Sequence, residues 1–181
     1  DSDVAGVDGG SQASFLRGLW NVQELPTDEA HCVWSDKGIP DFNNITWTPD
    51  NVFIKGMYYR LFYQVGLANE FLRETTDGKL SSRGMTDEVK AEVNILRADA
   101  RFMRALAYYY LLDLFRNVPF VTEESAIGTK AKQIQGNDLF AYIETELKEI
   151  ETELLDPFIG YNNKYYGRVT KAAAWSLLSR L

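Results

Sequence analysis

At 181 residues, 45% hydrophobic and 13% aromatic, the chain has enough apolar material for one sizeable core. A net charge of -7, with 26 acidic side chains and no basic stripe, excludes a nucleic-acid-binding surface. The single cysteine, Cys32, excludes an intramolecular disulfide. No apolar run reaches the roughly 18 residues that a membrane-spanning helix needs.

Residues 1–10 are polar and glycine-rich and read as a flexible lead-in, with one helical domain over 11–181. Ser11 to Leu25 is predicted as the first helix. Phe15, Leu19 and Val22 share a face, Leu16 and Trp20 lie beside it, Gly18 weakens it and Pro26 ends it. Thr27 to Pro49 has neither a 3.6 nor a 2 period and is rich in turn formers, so it reads as a long loop. A loop of that length in a compact domain carries a function or small elements of its own. Asp50 to Thr75 is a second helix with the stripe Ile54, Met57 or Tyr58, Leu61, Val65, Ala68 and Leu72. The following TTDGKLSSRGM reads as turn and loop, with Asp77-Gly78 a tight turn.

The strongest helical signal runs from Thr86 to Pro119. Val89, Val93, Leu96, Ala100, Met103, Ala107, Tyr110 and Leu114 recur at steps of 4 and 3, which predicts one buried stripe. Thr86 is the predicted N-cap, and Asp87 and Glu88 suit the positive end of the helix dipole. Ala98, Ala100, Ala105 and Ala107 permit close helix neighbours, and Tyr108, Tyr109 and Tyr110 point several ways, so packing on more than one face is expected. Phe120 to Gly136 reads as a connection with an extended start. Asn137 to Leu155 is the next helix, capped by Asn137. Leu139, Ile143, Leu147, Ile150 and Leu154 face inward, and Glu144, Glu146, Lys148, Glu149, Glu151 and Glu153 form a solvated face. After Pro157 comes an aromatic loop, FIGYNNKYYG, and then a helix from Thr170 to the last residue without a stop signal. The architecture therefore reads as cut before its end. Alanine-rich helices in antiparallel pairs suggest an all-α fold of tetratricopeptide-like pairs with long loops, one pair running from about Leu96 to about Leu154.

Little in the sequence carries covalent chemistry. His31 and Cys32 are neighbours, and adjacent side chains usually point apart, so they read as ordinary loop residues rather than a nucleophilic pair. There is no Cys/His cluster for zinc, and Asp36, Asp41 and Asn43 do not follow the EF-hand spacing. No G-x-G-x-x-G, Walker lysine or G-x-S-x-G occurs. Asp28, Asp36 and Asp41 are neighbours in sequence only, a weak basis for a glycosidase acid pair. What remains is the loop from Thr27 to Pro49. Trp34, Asp36, Lys37, Asp41, Asn43 and Trp47 combine flat apolar rings with hydrogen-bonding groups, the mixture that a saccharide site needs. The competing expectation is that Trp34 and Trp47 simply plug the helical layer under the loop. No cofactor and no metal site is expected.

The segment AEVNILRADARFMRALAYYYLLDLFRNVPFVTEE, Ala91 to Glu124, resembles the "EArFlRAlaYfyLv.lfGdVPlv" block of the SusD/RagB family of outer-membrane nutrient-binding lipoproteins. Gly66-Leu67-Ala68-Asn69 is similar to the family's "I..aN" segment, and Gly167-Arg168-Val169-Thr170-Lys171-Ala172-Ala173-Ala174 to its "GRvtkgaA" block. The glycine before "dVP" is replaced here, where Arg116-Asn117 stands. The resemblance covers about Ser11 to Leu181, the amino-terminal portion of such a protein, and implies a SusD-like fold without catalysis. It implies a surface lipoprotein of the outer membrane that captures a glycan or other oligomeric nutrient. It also implies a partner, a SusC-like TonB-dependent transporter. The anchor would be a lipid on a cysteine outside this chain, since Cys32 lies well inside the domain. Ligand contacts would come from the loop between the first two helices, near Trp34-Ser35-Asp36 and Asp41. The alternatives are a helical scaffold that binds only a protein partner and a glycoside hydrolase using Asp36 or Asp41.

Overall fold

The computed structural model describes residues 14–181, so the expected lead-in over 1–10 lies outside the described residues. The chain divides into two compact units, one running to Phe62 and the other from Tyr63 to Leu181. No described helix is long and apolar enough to cross a membrane.

In the first unit, α1 (Phe15–Glu24) and α2 (Ile39–Asn43) pack together and lead to the start of α3 (Val52–Glu74). Leu25, Ile39, Phe42 and Phe53 form its core, with Val22, Ala30, Cys32, Val52 and Ile54 packed around them. Gly18 has a packing role: a Cβ there would stand 2.9 Å from Met57 Sδ. The chain from Thr27 to Pro49 is mostly loop, as its composition indicated, but holds the short α2, whose buried Ile39 and Phe42 fold it back onto the core. Asn51 starts α3. Its Oδ1 accepts from the Phe53 N–H at 2.9 Å and the Ile54 N–H at 3.4 Å, the geometry of an N-cap. Its Nδ2 donates to the Gly38 carbonyl at 3.0 Å and to Asp41 Oδ2 at 2.9 Å.

In the second unit, the rest of α3 is followed by α4 (Asp77–Ser82) and α5 (Asp87–Phe115). The expected turn at Asp77-Gly78 is instead the first turn of α4. Burying Leu80 favours the helix over the turn. Gly84, at φ 73, ends α4, and the Met85 N–H returns to the Leu80 carbonyl at 3.1 Å in a Schellman-type closure. Thr86 caps α5 through the Val89 N–H, as its position predicted.

The buried face of α5 differs from the expected stripe. Of that stripe Ala107 is buried, but the other buried residues are Ala98, Phe102, Arg104, Ala105, Tyr108 and Leu111, and Val89 and Met103 are exposed. At about 100° per residue the buried arc is centred roughly a third of a circle from that stripe. The cause is the paired α6 (Gly136–Ile150), which meets α5 along Arg101, Arg104 and Tyr108. These partner Glu149, Glu146 and Tyr142 respectively, so the two helices run antiparallel. On α6 the inward residues Leu139, Ile143, Leu147 and Ile150, with Leu154 beyond its end, are all buried as expected. Each such side chain contributes about 1.5–3 kcal/mol. Glu146, assigned to the solvated face, is buried because it lies beside that stripe and faces two arginines. Asn137 does not cap α6. The helix starts at Gly136, whose N–H donates to Asn117 Oδ1 at 2.8 Å.

Between α5 and α6 lies a hairpin absent from the sequence reading. Val118–Phe120 (β1) pairs antiparallel with Lys132–Ile134 (β2), Val118 opposite Ile134. The last helix, α7 (Lys171–Leu178), packs on α6 and ends in a turn at Ser179 instead of running to the final residue.

Arg104, only 2% exposed, is the polar centre of this unit. It donates to Asn69 Oδ1 on α3 at 2.7 Å, to Glu146 Oε1 on α6 at 2.7 Å, and to Glu123 in the segment after β1. Arg101 reinforces Glu146 with two bonds of 3.0 and 3.1 Å. Tyr108 accepts from the Val121 N–H at 2.9 Å and donates to its carbonyl at 2.8 Å. Burial pushes that phenol up to about 12. For Glu123, burial works to raise the carboxyl, but the Arg104 guanidinium outweighs it and the net shift is downward. Arg97 joins α5 to α3 by donating to the Leu72 carbonyl at 2.7 Å and to Thr75 Oγ1 at 2.8 Å.

Arg116, where the resembling block has glycine, sits at φ 61, ψ -61, and the Asn117 N–H closes on the Phe115 carbonyl at 2.7 Å. This is a γ-turn of the strained hand, rarely adopted by a residue with a Cβ. Arg116→Gly is therefore expected to stabilise the chain by about 0.5–1 kcal/mol, raising Tm by about 1–4 °C in calorimetry. An unchanged or lower Tm contradicts the strain. Asn51→Ala removes a cap and leaves the Gly38 carbonyl and Asp41 without their donor. Denaturant unfolding followed by tryptophan fluorescence should show a loss of about 2 kcal/mol. A loss under about 0.5 kcal/mol, within the range of an ordinary surface substitution, contradicts that role.

Candidate functional site

The loop between α1 and α3 is pinned from beneath and open above. Ile39 and Phe42 anchor α2, and Gly38, at φ 94, lets the backbone reach Asn51. A side chain at Gly38 would meet the Asn51 amide at 3.0 Å. Asn43 ties the two arms of the loop: its Nδ2 donates to the Cys32 carbonyl at 2.7 Å, and its Oδ1 accepts from the Cys32 N–H at 3.4 Å. Beyond α2 the Thr46 N–H donates to the Asp41 carbonyl at 2.8 Å. Ile45 in this turn has φ 54, costly for a β-branched residue.

On this frame Trp34 stands two residues beyond Cys32 and is 52% exposed, with the Arg17 guanidinium 4.7 Å from its ring centroid. The contact is a cation–π pair that holds the ring while leaving much of it open. Trp47 is 40% exposed and rests on buried Phe42, ring centroids 6.1 Å apart and tilted by 40°. The two rings are thus supported differently, one by a cation and one by the core. Asp36 and Lys37 lie in the exposed turn before α2, where the Asp36 carbonyl accepts from the Ile39 N–H at 3.0 Å. Asp41 and Asn43 lie on α2, half-buried, and their polar atoms engage Asn51 and Cys32. The six sequence candidates therefore fall into groups: Trp34 and Trp47 on the outside, Asp36 and Lys37 on the rim, Asp41 and Asn43 in the scaffold.

Two further residues shape this site. Asn51 positions the loop, and an asparagine immediately before a strong helical run is a cap signal. Arg17 reaches Trp34 from α1, and nothing in the local sequence announces that contact. His31 is exposed and Cys32 half-buried with a free thiol. Among the described residues no three His, Cys, Asp or Glu side chains converge as a metal-binding group. The second unit has a cleft of about 580 Å³ lined by Thr76, Asp77, Asn94, Arg97, Arg101 and Glu153 with Ile95. Its arginines are already spent on helix pairing.

Residues 20–181 match the sequence model of a SusD-like family described as starch-binding and associating with the outer membrane. The chain is 38% identical over 180 residues to the starch-binding protein SusD of Bacteroides thetaiotaomicron, covering 99% of this chain and 30% of that protein. A SusD-like carbohydrate-binding protein of Bacteroides fragilis superposes with a TM-score of 0.62 at 28% identity, over 77% of this chain and 26% of the other. A laminarin-binding SusD-like protein gives 0.66 at 27% identity, over 81% and 30%. The chain thus spans about 30% of the length of these relatives. With a family match over most of its length and a tetratricopeptide-like helical fold, the chain belongs to the SusD-like family.

Proposed function

We propose that this chain is part of a glycan-binding protein of the outer membrane that captures a saccharide without cleaving it. The captured ligand passes to a TonB-dependent transporter of the SusC type. The observation that carries the reading is the pinned loop with Trp34 and Trp47 half-exposed above a fixed floor. Aromatic rings kept in water at a cost, and fixed in orientation, suit the apolar faces of sugar rings, while rim groups such as Asp36 and Lys37 suit hydroxyls. Relatives named for starch, carbohydrate and laminarin binding support the same ligand class. The family description supports the outer membrane as its place.

Affinity electrophoresis of the native protein against starch, laminarin and xyloglucan tests this. One of these should retard it, and Trp34→Ala and Trp47→Ala should each weaken that retention about tenfold, or about 1.4 kcal/mol. Unchanged retention in both variants contradicts the assignment of the loop. No retention by any glycan, with transporter capture intact, favours a scaffold that binds only protein.

A further inference from the structure

The segment between α6 and α7 carries exposed aromatic rings that the first site does not use. Its ends are clamped: Leu155 and Thr170 form a bridge, the Lys171 N–H donates to the Leu155 carbonyl at 2.9 Å, and Lys171 Nζ pairs with Asp156 at 2.9 Å. A surface segment of this length with touching ends is an Ω-loop. Two ion pairs lay it along α5. Lys164 Nζ meets Glu92 at 2.8 Å and the Arg168 guanidinium meets Asp99 at 2.6 Å, acids seven residues and hence about two turns apart on one side of the helix. Lys164 also lies 4.6 Å from the Tyr165 ring centroid.

The exposed rings are Phe158 at 95%, Tyr161 at 80% and Tyr166 at 59%. Tyr161 and Tyr166 are paired edge to face, centroids 5.4 Å apart at 70°, so one face of one ring is covered by its partner and the remaining ring surface is open to solvent. Turn bonds from Asn163 N–H to the Gly160 carbonyl and from Tyr166 N–H to the Asn163 carbonyl, both 2.9 Å, fix the spacing. Both loop cations, Lys164 and Arg168, are neutralised by α5 carboxylates. The outward face therefore offers rings, phenol hydroxyls and the Asn162 amide, with no net charge of its own.

We propose that this Ω-loop is a second saccharide contact, a neutral platform for a further stretch of a long glycan. The proposal rests on the glycan-binding reading. An uncharged aromatic and amide surface matches a neutral polyol better than a charged peptide.

The test compares a polymer with its trisaccharide, soluble starch with maltotriose or laminarin with laminaritriose, whichever pair the native protein binds. Tyr161→Ala/Tyr166→Ala should lower affinity for the polymer about tenfold and leave the trisaccharide unchanged. Phe158→Ala, at a side chain almost wholly in solvent, should lower polymer affinity several-fold with an unaltered Tm. Wild-type affinity for the polymer in both variants overturns the proposal, and so does weakened polymer binding matched by an equal loss for the trisaccharide. Loss of transporter capture with polymer binding intact also overturns it, making the loop a protein contact. A native protein that binds no glycan overturns the parent reading and this one together. Weakening by Trp34→Ala alone, with the loop variants silent, overturns only this one.

Discussion

A guanidinium almost wholly removed from water must be surrounded by acceptors, and Arg104 gathers them from three directions. Asn69 comes from α3, Glu123 from the segment after β1, and Glu146 from α6. Removing one partner of a buried charge leaves the other uncompensated at a cost of about 3–5 kcal/mol. The elements of this unit are consequently interdependent. The α5–α6 crossing keeps Glu146 beside Arg104 and Arg101, and the antiparallel direction of the pair follows from the order of those contacts. The chain after the hairpin is held by Tyr108 through both the N–H and the carbonyl of Val121. Asn69 completes the set by donating to that same Val121 carbonyl at 3.1 Å.

This interdependence explains what could and could not be read from the sequence. The stripe of α6 is legible because Leu139, Ile143, Leu147 and Ile150 are large, regular and all buried. The buried face of α5 is not legible from hydropathy because it is built largely from small, aromatic and charged residues, Ala98, Ala105, Tyr108 and Arg104. Glu146 was assigned to solvent for the same reason: only its distant arginine partners reveal that it is inside. The hairpin could not be seen because β1 contains a proline and β2 is three residues of mixed polarity, paired across a connection. In α4 the Asp-Gly pair suggested a turn, but a buried Leu80 and a closing Gly84 outweighed it. Of the candidate site, composition marks the loop as irregular and rich in ligand-type residues but does not show the structural roles within it. Asp41 and Asn43 have the chemistry of ligand contacts, and their polar atoms build the loop.

The residues by which the family is recognised are therefore mostly those that hold the fold. Arg101, Arg104, Tyr108 and Val118 are structural in the second unit, and Arg116 stands where the resembling block has glycine, at a backbone angle that suits glycine. The proposed recognition of a ligand is a separate matter, assigned to side chains that the fold leaves uncovered, Trp34 and Trp47 foremost. On the proposed reading, such a division would let one scaffold accept different saccharides, because the loop can change its exposed residues while Asn51 and Gly38 keep its base.

Hydrogen–deuterium exchange of the native protein, with and without the trisaccharide that it binds, tests this division most directly. Slowed exchange is expected in peptides covering 31–48, with no change in peptides covering 97–123. Protection centred on 97–123, with 31–48 unaffected, would show that the arginine-built core itself receives the ligand and would contradict the account.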